Sequence, residues 1–247
     1  MKTKVNLLLV ASGTGSDANA IMRAAAINRL PDVEIRGLVS TREGAGCLEK
    51  ARVFKIPEII LDCQKISRSE FELGFRNICG RLEIDLIFLV GCVVKIPMVE
   101  GAKIYNIHPA DLEIAGGRGM YGLEPHKRVL ENILDLISRG RKNIGDAFYT
   151  FPTIHEVGEK YDEGVALLKA GIEIPASIIS SLVNIPTAEV PEELAEELQK
   201  YVLEYEHIML PQAVEMAARK LLEINRQKFL AEKFPPRGGN NFSEHYF

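Results

Sequence analysis

The sequence predicts an α/β protein with a Rossmann-like, mostly parallel twisted sheet and helices on both faces. Two observations carry this reading. Short apolar runs alternate with stretches of helical periodicity along most of the chain, the signature of successive βαβ units. The length, 247 residues, suits one large domain or one domain with an appendage better than two full domains. Taken in order, the first strand is Val5–Ala11, followed by a small-residue turn and a helix near 17–28. A second strand over Val33–Ser40 and a helix near 44–54 come next, then a short strand over Glu58–Leu61. Ser67-Arg68-Ser69-Glu70 opens a helix over 67–81 as a capping box, with Ser67 and Glu70 satisfying exposed backbone donors reciprocally. Asp85–Val90 is a fourth strand, and Lys103-Ile104-Tyr105 a further short one leading into Asn106-Ile107-His108-Pro109. After a glycine-rich loop the pattern predicts a helix near 124–139 and strands over 148–157 and 164–174. Pro191-Glu192-Glu193 starts a long helix, with acidic residues at its positive end and Leu194, Leu198, Tyr201, Val202 and Tyr205 as its apolar stripe. Residues 1–225 read as one domain and 226–247 as a C-terminal tail, whose segment from Phe234 to Asn241 is rich in Pro, Gly and Asn.

Composition narrows the function. A formal net charge of −4 gives no general footprint for nucleic acid and favours a small-molecule partner. Cys47, Cys63, Cys79 and Cys92 have no metal-ligand or CxxC spacing, so they read as reduced thiols and no metal is expected. The first residues run directly into a strand, without a signal or membrane-spanning segment, which predicts a cytoplasmic protein away from membranes.

Two segments carry candidate chemistry. Ser12-Gly13-Thr14-Gly15-Ser16-Asp17 links the first strand to a helix, where small residues and free N–H groups favour an anion. It is neither a GxGxxG nor a GxxxxGK[ST] loop, and it also reads as a tight turn with Ser16 or Asp17 as N-cap. Asp17 would repel a phosphate unless its side chain capped the helix and pointed away. The second segment is Asn106-Ile107-His108-Pro109, answered by Asp162. When an amine attacks a formyl carbon, the carbonyl oxygen becomes an oxyanion that Asn106 and a protonated His108 can stabilise. A nearby carboxylate favours the imidazolium, raising the His108 pKa, and can relay the amine proton through water. The C-terminal end of a parallel-type strand is where open α/β sheets bind ligands.

Over roughly residues 4–225 the chain resembles the phosphoribosylglycinamide formyltransferase family. The resemblance rests on Ser12-Gly13-Thr14-Gly15-Ser16-Asp17, Asn106-Ile107-His108-Pro109, and His155-Glu156-Val157 followed by Asp162 and Gly164. It implies Asn106, His108 and Asp162 as the catalytic set, with His155 in support. It further implies a phosphate and ribose site over Gly13, Thr14, Gly15, Ser16 and Asp17, joined by Arg68 and Glu206. Cys92, Val93, Val94, Lys95 and Ile96 would line a folate pocket. Residues 1–100 would then form the phosphate-binding half and 101–225 the catalytic and folate-binding half. The implied donor is 10-formyltetrahydrofolate, the acceptor 5-phosphoribosylglycinamide, and a homodimer is left open.

Several departures leave the acceptor in question. Asp17 stands where the family has Asn, and Gly116–Gly122 is a glycine-rich loop in which Arg118 could replace the lost positive charge or sit in solvent. Residues 131–147 are longer than usual, and Phe151-Pro152-Thr153 precedes His155. An amino-sugar nucleotide is an alternative acceptor, and a non-catalytic folate or nucleotide sensor is the reading from a different class. Initiator tRNA fits poorly with an acidic chain. Hydrolysis of the donor fits poorly with a chain that starts at its first strand.

Overall fold

Val5–Ala11 forms β1, and all seven of its residues are buried. An unbroken apolar strand of this kind needs cover on both sheet faces, and the packing supplies it. Leu7 and Leu9 join one core cluster with Ile21, Met22 and Leu48, while Leu8 and Val10 join another with Phe71, Phe75 and Ile78. The structure is a computed structural model and describes residues 2–158, 162, 164–185 and 189–234.

The helix α1 (Ser16–Ala26) follows β1, then β2 (Val33–Ser40), α2 (Gly46–Val53), β3 (Glu58–Ile60), α3 (Arg68–Arg81) and β4 (Leu86–Leu89). The capping box at Ser67 is formed in both directions, which fixes where α3 begins. Next come β5 (Lys103–His108), α4 (Leu112–Ala115), α5 (Glu124–Ser138), β6 (Tyr149–Thr150), β7 (Thr153–Glu156), β8 (Ala166–Lys169), β9 (Ile172–Glu173), α6 (Ala176–Val183) and α7 (Glu192–Lys233).

Seven strands make the main sheet in the order β3-β2-β1-β4-β5-β7-β8. The first five run parallel, and β7 and β8 are antiparallel additions at one side. Strand order reverses between β1 and β4, so the loops leaving their carboxyl ends part and open a crevice. The turn after β1, the Gly91–Ile96 segment after β4 and the end of β5 all reach it. A third core cluster joins α5, α6 and the first half of α7 beyond the sheet.

Four expectations are corrected. The strand expected over 148–157 is two strands broken at Phe151-Pro152, and β6 pairs with β9 in a separate two-stranded sheet. Proline has no N–H to give a ladder, so the chain changes partner there. The strand expected over 164–174 breaks likewise, at Gly171, where a Cβ would lie 3.1 Å from the Phe151 ring. The strand ending at Tyr105 instead runs on to His108, because β7 supplies partners: Asn106 faces His155 and His108 faces Thr153. The boundary at 226 falls inside α7, which continues to Lys233, while residues 235–247 lie outside those described. The helices α4 and α6 carried no strong sequence signal, being short or rich in Ser and Ile.

Candidate active site

Strand alternation puts Asn106 and His108 on one face of β5, two residues apart, with Ile107 turned to the core behind. The antiparallel neighbour β7 brings His155 opposite Asn106. Asp162 then closes the group. One of its carboxylate oxygens lies 3.4 Å from His155 Nε2 and the other 3.9 Å from His108 Nδ1, while Asn106 Nδ2 is 3.4 Å from His155 Nε2. Asp162 sits at a positive φ of 55°, and the turn that holds it depends on Gly164, where a Cβ would fall 1.5 Å from the Glu156 carbonyl.

The segment after β5 anchors the two central residues through its backbone. The Ala115 carbonyl accepts a hydrogen bond from His108 Nε2 at 2.7 Å, and the Gly117 N–H donates to Asp162 Oδ2 at 2.9 Å. A carbonyl can only accept, so Nε2 carries a proton and neutral His108 keeps its lone pair on Nδ1, the nitrogen nearer Asp162. Neither backbone contribution is marked by residue type in the sequence.

Electrostatics here reverse one expectation. Burial disfavours the charged His108 more than Asp162 favours it, so its pKa lies below the ordinary histidine value. For Asp162 burial pushes upward, yet hydrogen bonds from His155 and Gly117 and the field of the two imidazoles hold it below the usual carboxylate value. At neutral pH the free site therefore contains a carboxylate facing a neutral His108. His126, in the first turn of α5, was not singled out by sequence. It lines the same cleft, is 2% exposed, has an unpartnered Nδ1, and is pushed down to about 4 by burial and by His108. A lone histidine after a proline gave no pattern that could have marked it.

The cleft holds about 410 Å³, within the roughly 300–1,000 Å³ usual for small-molecule sites. At one end it is lined by Thr14, Ser16, Asp17 and Glu206, and in the middle by Asn106, His108 and Asp162. Gly15 is the N-cap of α1, at φ 72° and without a side-chain cap, which corrects the reading of Ser16 or Asp17 in that role. A Cβ at Gly15 would lie 2.5 Å from Cys47 Cβ, so only glycine lets the turn pack against α2. Asp17 does not cap the helix; it faces the cleft. Gly13 lines a neighbouring depression with Arg42 and Lys50 instead of the cleft.

A second, mostly apolar recess also reaches Asn106 and Asp162. Cys92, Val93, Val94, Lys95 and Ile96 line it together with Leu89 and Val157, and Asn106, His155 and Asp162 stand at its inner end. Arg68 belongs to this side of the molecule. Its guanidinium pairs with Glu72 and donates to the Lys95 carbonyl, and it is absent from the residues lining the end with Ser16 and Glu206. Arg68 thus lies apart from the Ser16 and Glu206 end to which the resemblance assigned it. Arg118 is exposed and does not line the cleft.

A parallel-sheet crevice holding an amide, an imidazole and a carboxylate between a glycine-containing turn and an apolar recess belongs to a protein of the formyltransferase fold. The profile of the family described as formyl transferase matches residues 5–214, and the chain belongs to that family. It is 32% identical over 187 residues to the chloroplastic phosphoribosylglycinamide formyltransferase of Arabidopsis thaliana, covering 72% of this chain and 53% of that protein. It is 28% identical over 214 residues to the Vigna unguiculata protein of the same name, covering 85% and 59%. The chain thus spans little more than half the length of the curated relatives it matches. Among solved structures, glycinamide ribonucleotide transformylase 1 from Symbiobacterium toebii superposes with a TM-score of 0.66 at 21% identity, covering 89% of this chain and 90% of that one. Phosphoribosylglycinamide formyltransferase from Brucella melitensis gives a TM-score of 0.62 at 26% identity, covering 87% and 96%.

Proposed function

We propose that the protein moves the formyl group of 10-formyltetrahydrofolate to the primary amine of 5-phosphoribosylglycinamide, a step of purine synthesis. The observation that carries this is the meeting of Asn106, His108 and Asp162 where the anion-type turn and the apolar recess join. The names of the relatives at 28–32% identity support the choice of acceptor and donor.

The recess suits the donor: its walls from Leu89, Val94, Ile96 and Val157 are apolar, as a flat heteroaromatic ring requires, and its inner end is polar. When bound, the folate supplies an activated one-carbon unit. At the other end the uncapped first turn of α1, with Ser16 at its start, holds the acceptor's phosphate, and Glu206 faces its ribose. Arg68 steadies the Lys95 backbone of the donor recess.

Asn106 Nδ2 donates to the formyl oxygen as negative charge builds there. The amine nitrogen forms the new C–N bond and loses a proton to Asp162, directly or through one water; His108 Nδ1 holds that proton until the bond from the formyl carbon to the folate nitrogen breaks and the nitrogen leaves with it. His108 is neutral beforehand because of its burial, so it has room for this proton, and Asp162 at 3.9 Å then stabilises the imidazolium. His155 keeps Asp162 in place through its Nε2 and the left-handed turn.

We also infer a cytoplasmic location. The four cysteines are free, and among the described residues no helix is long and apolar enough to cross a membrane.

The test is formyl transfer by the purified protein with both substrates, an Asp162→Asn control and a blank without acceptor. The expected result is acceptor-dependent turnover that falls by about 10²–10⁴-fold in the variant, with binding of both substrates little changed. Equal loss of turnover and binding would make Asp162 structural, and donor consumption in the blank would point to hydrolysis.

A further inference from the structure

The acceptor end of the cleft is built around carboxylates. Asp17, in the first turn of α1, retains 13% of its side-chain surface, and Glu206 of α7 is 7% exposed; both line the cleft. Among the described residues lining it there is no lysine or arginine. The groups facing Asp17 come from two elements. From α2 comes Lys50, whose Nζ is held by the Thr14 carbonyl at 2.7 Å. From α7 come Glu206 and His207, with His207 Nε2 at 3.5 Å from Asp17 Oδ1; both of these atoms are buried and without a hydrogen bond.

None of these neighbours neutralises the pair. His207 is held below the ordinary histidine value by burial and by Lys50, with Glu204 acting the other way, so it is neutral at pH 7. Burial lifts Asp17 to about 6 against the opposing charge of Lys50. Burial first, and Asp17 second, push Glu206 well above the usual carboxylate value. A phosphate placed at this end meets two carboxyl groups in a partly desolvated site, where like charges cannot all be ionised.

We propose that Asp17 binds a proton when a phosphorylated acceptor occupies this end of the cleft, so that acceptor binding draws a proton from solvent and Asp17 sets its pH range. The inference rests on the acceptor site proposed above and names how that site discriminates. A protonated carboxyl is neutral and adds a donor, where a carboxylate would repel the phosphate.

The experiment is calorimetric titration of the wild-type, Asp17→Asn and Glu206→Gln proteins from pH 5.5 to 8.0 with 5-phosphoribosylglycinamide and, separately, ribose 5-phosphate. Buffers of different ionisation enthalpy count the protons. The second ionisation of a phosphate monoester, near pH 6, is common to all three proteins and cancels in the comparison. Relative to Asp17→Asn, wild-type affinity is expected to fall by about tenfold per pH unit above pH 6, with uptake approaching one proton. Asp17→Asn binds more tightly than wild type at pH 8 and takes up no proton at this site, whereas Glu206→Gln keeps the uptake through Asp17. Parallel pH profiles and equal uptake in wild type and Asp17→Asn would overturn the proposal, as would the absence of binding of either probe at every pH. Proton-linked binding of ribose 5-phosphate without formyl transfer would sink the proposed reaction and leave this inference standing. Transfer with parallel profiles would do the reverse.

Discussion

His126 shows how a single side chain can set a pH limit on the whole protein. It is buried beside His108 and held at about 4, against about 6.5 for an unfolded-chain histidine. A base with a depressed value in the folded state binds fewer protons there than in the unfolded state. Between pH 6.5 and 4, therefore, stability rises with pH, and above 6.5 this contribution is constant. Going from pH 7 to pH 5, His126 alone is expected to remove about 2 kcal/mol. Chemical denaturation at the two pH values measures it. His126→Gln cannot take up this proton and is expected to show a distinctly smaller loss, with a remainder from His108, whose value is displaced in the same direction. An unchanged difference would mean that acid destabilisation comes from elsewhere. At this scale the sequence was legible where residue type is itself the signal: Asn106, His108, His155 and Asp162 converge as their order implied. The direction of the His108 shift was not legible, because burial is a property of the folded molecule and cannot be read from a two-residue spacing.

The short stretch from α4 to the glycine-rich loop does more than its sequence suggested. Ala115 and Gly117 hold His108 and Asp162 through backbone atoms, and Gly116 sits between them. Its φ of −90° is open to any residue, so space is what restricts it: a Cβ there would lie 2.3 Å from the Leu112 carbonyl, a backbone atom with little freedom. Gly116→Ala is expected to shift both anchors, lowering kcat by about tenfold or more through misplacement while the protein stays folded. Steady-state kinetics with circular dichroism distinguishes this from unfolding, and wild-type turnover would show that the loop yields without moving His108 and Asp162. Regular elements were easier to read. β1 was legible to the residue because a doubly covered strand is a nearly continuous apolar run, β2 because its apolar residues Val33, Ile35, Leu38 and Val39 stand out between turns, and α3 because its capping box is written in side chains. The position taken by the Arg68 side chain was hidden. A helix-start arginine reaches several ångströms in directions that depend on which loop packs beside it, and here that loop is the one containing Lys95.

For the whole molecule, α7 ties the parts together. Its first half packs on α5 and α6, and its middle covers the same sheet face as α1, placing Glu206 at the cleft on the way. Its last deeply buried residue is Ala218; Leu221 and Leu222 are half-buried against the core, and beyond them Phe229, Leu230 and Phe234 are exposed. A helical end with no buried residue among those described contributes little, since isolated short helices are marginal in water. Shortening the chain after Ile224 is therefore expected to keep kcat/KM and to change the thermal midpoint by no more than about 2 °C, equivalent to under about 1 kcal/mol at this size. Scanning calorimetry and the transfer assay on the shortened protein test this. A fall of many degrees, together with a smaller mass in solution than the full chain shows, would mean that Phe229, Leu230 and Phe234 are covered by a second copy. In that case the helix end would belong to an assembly instead of projecting from a self-sufficient domain.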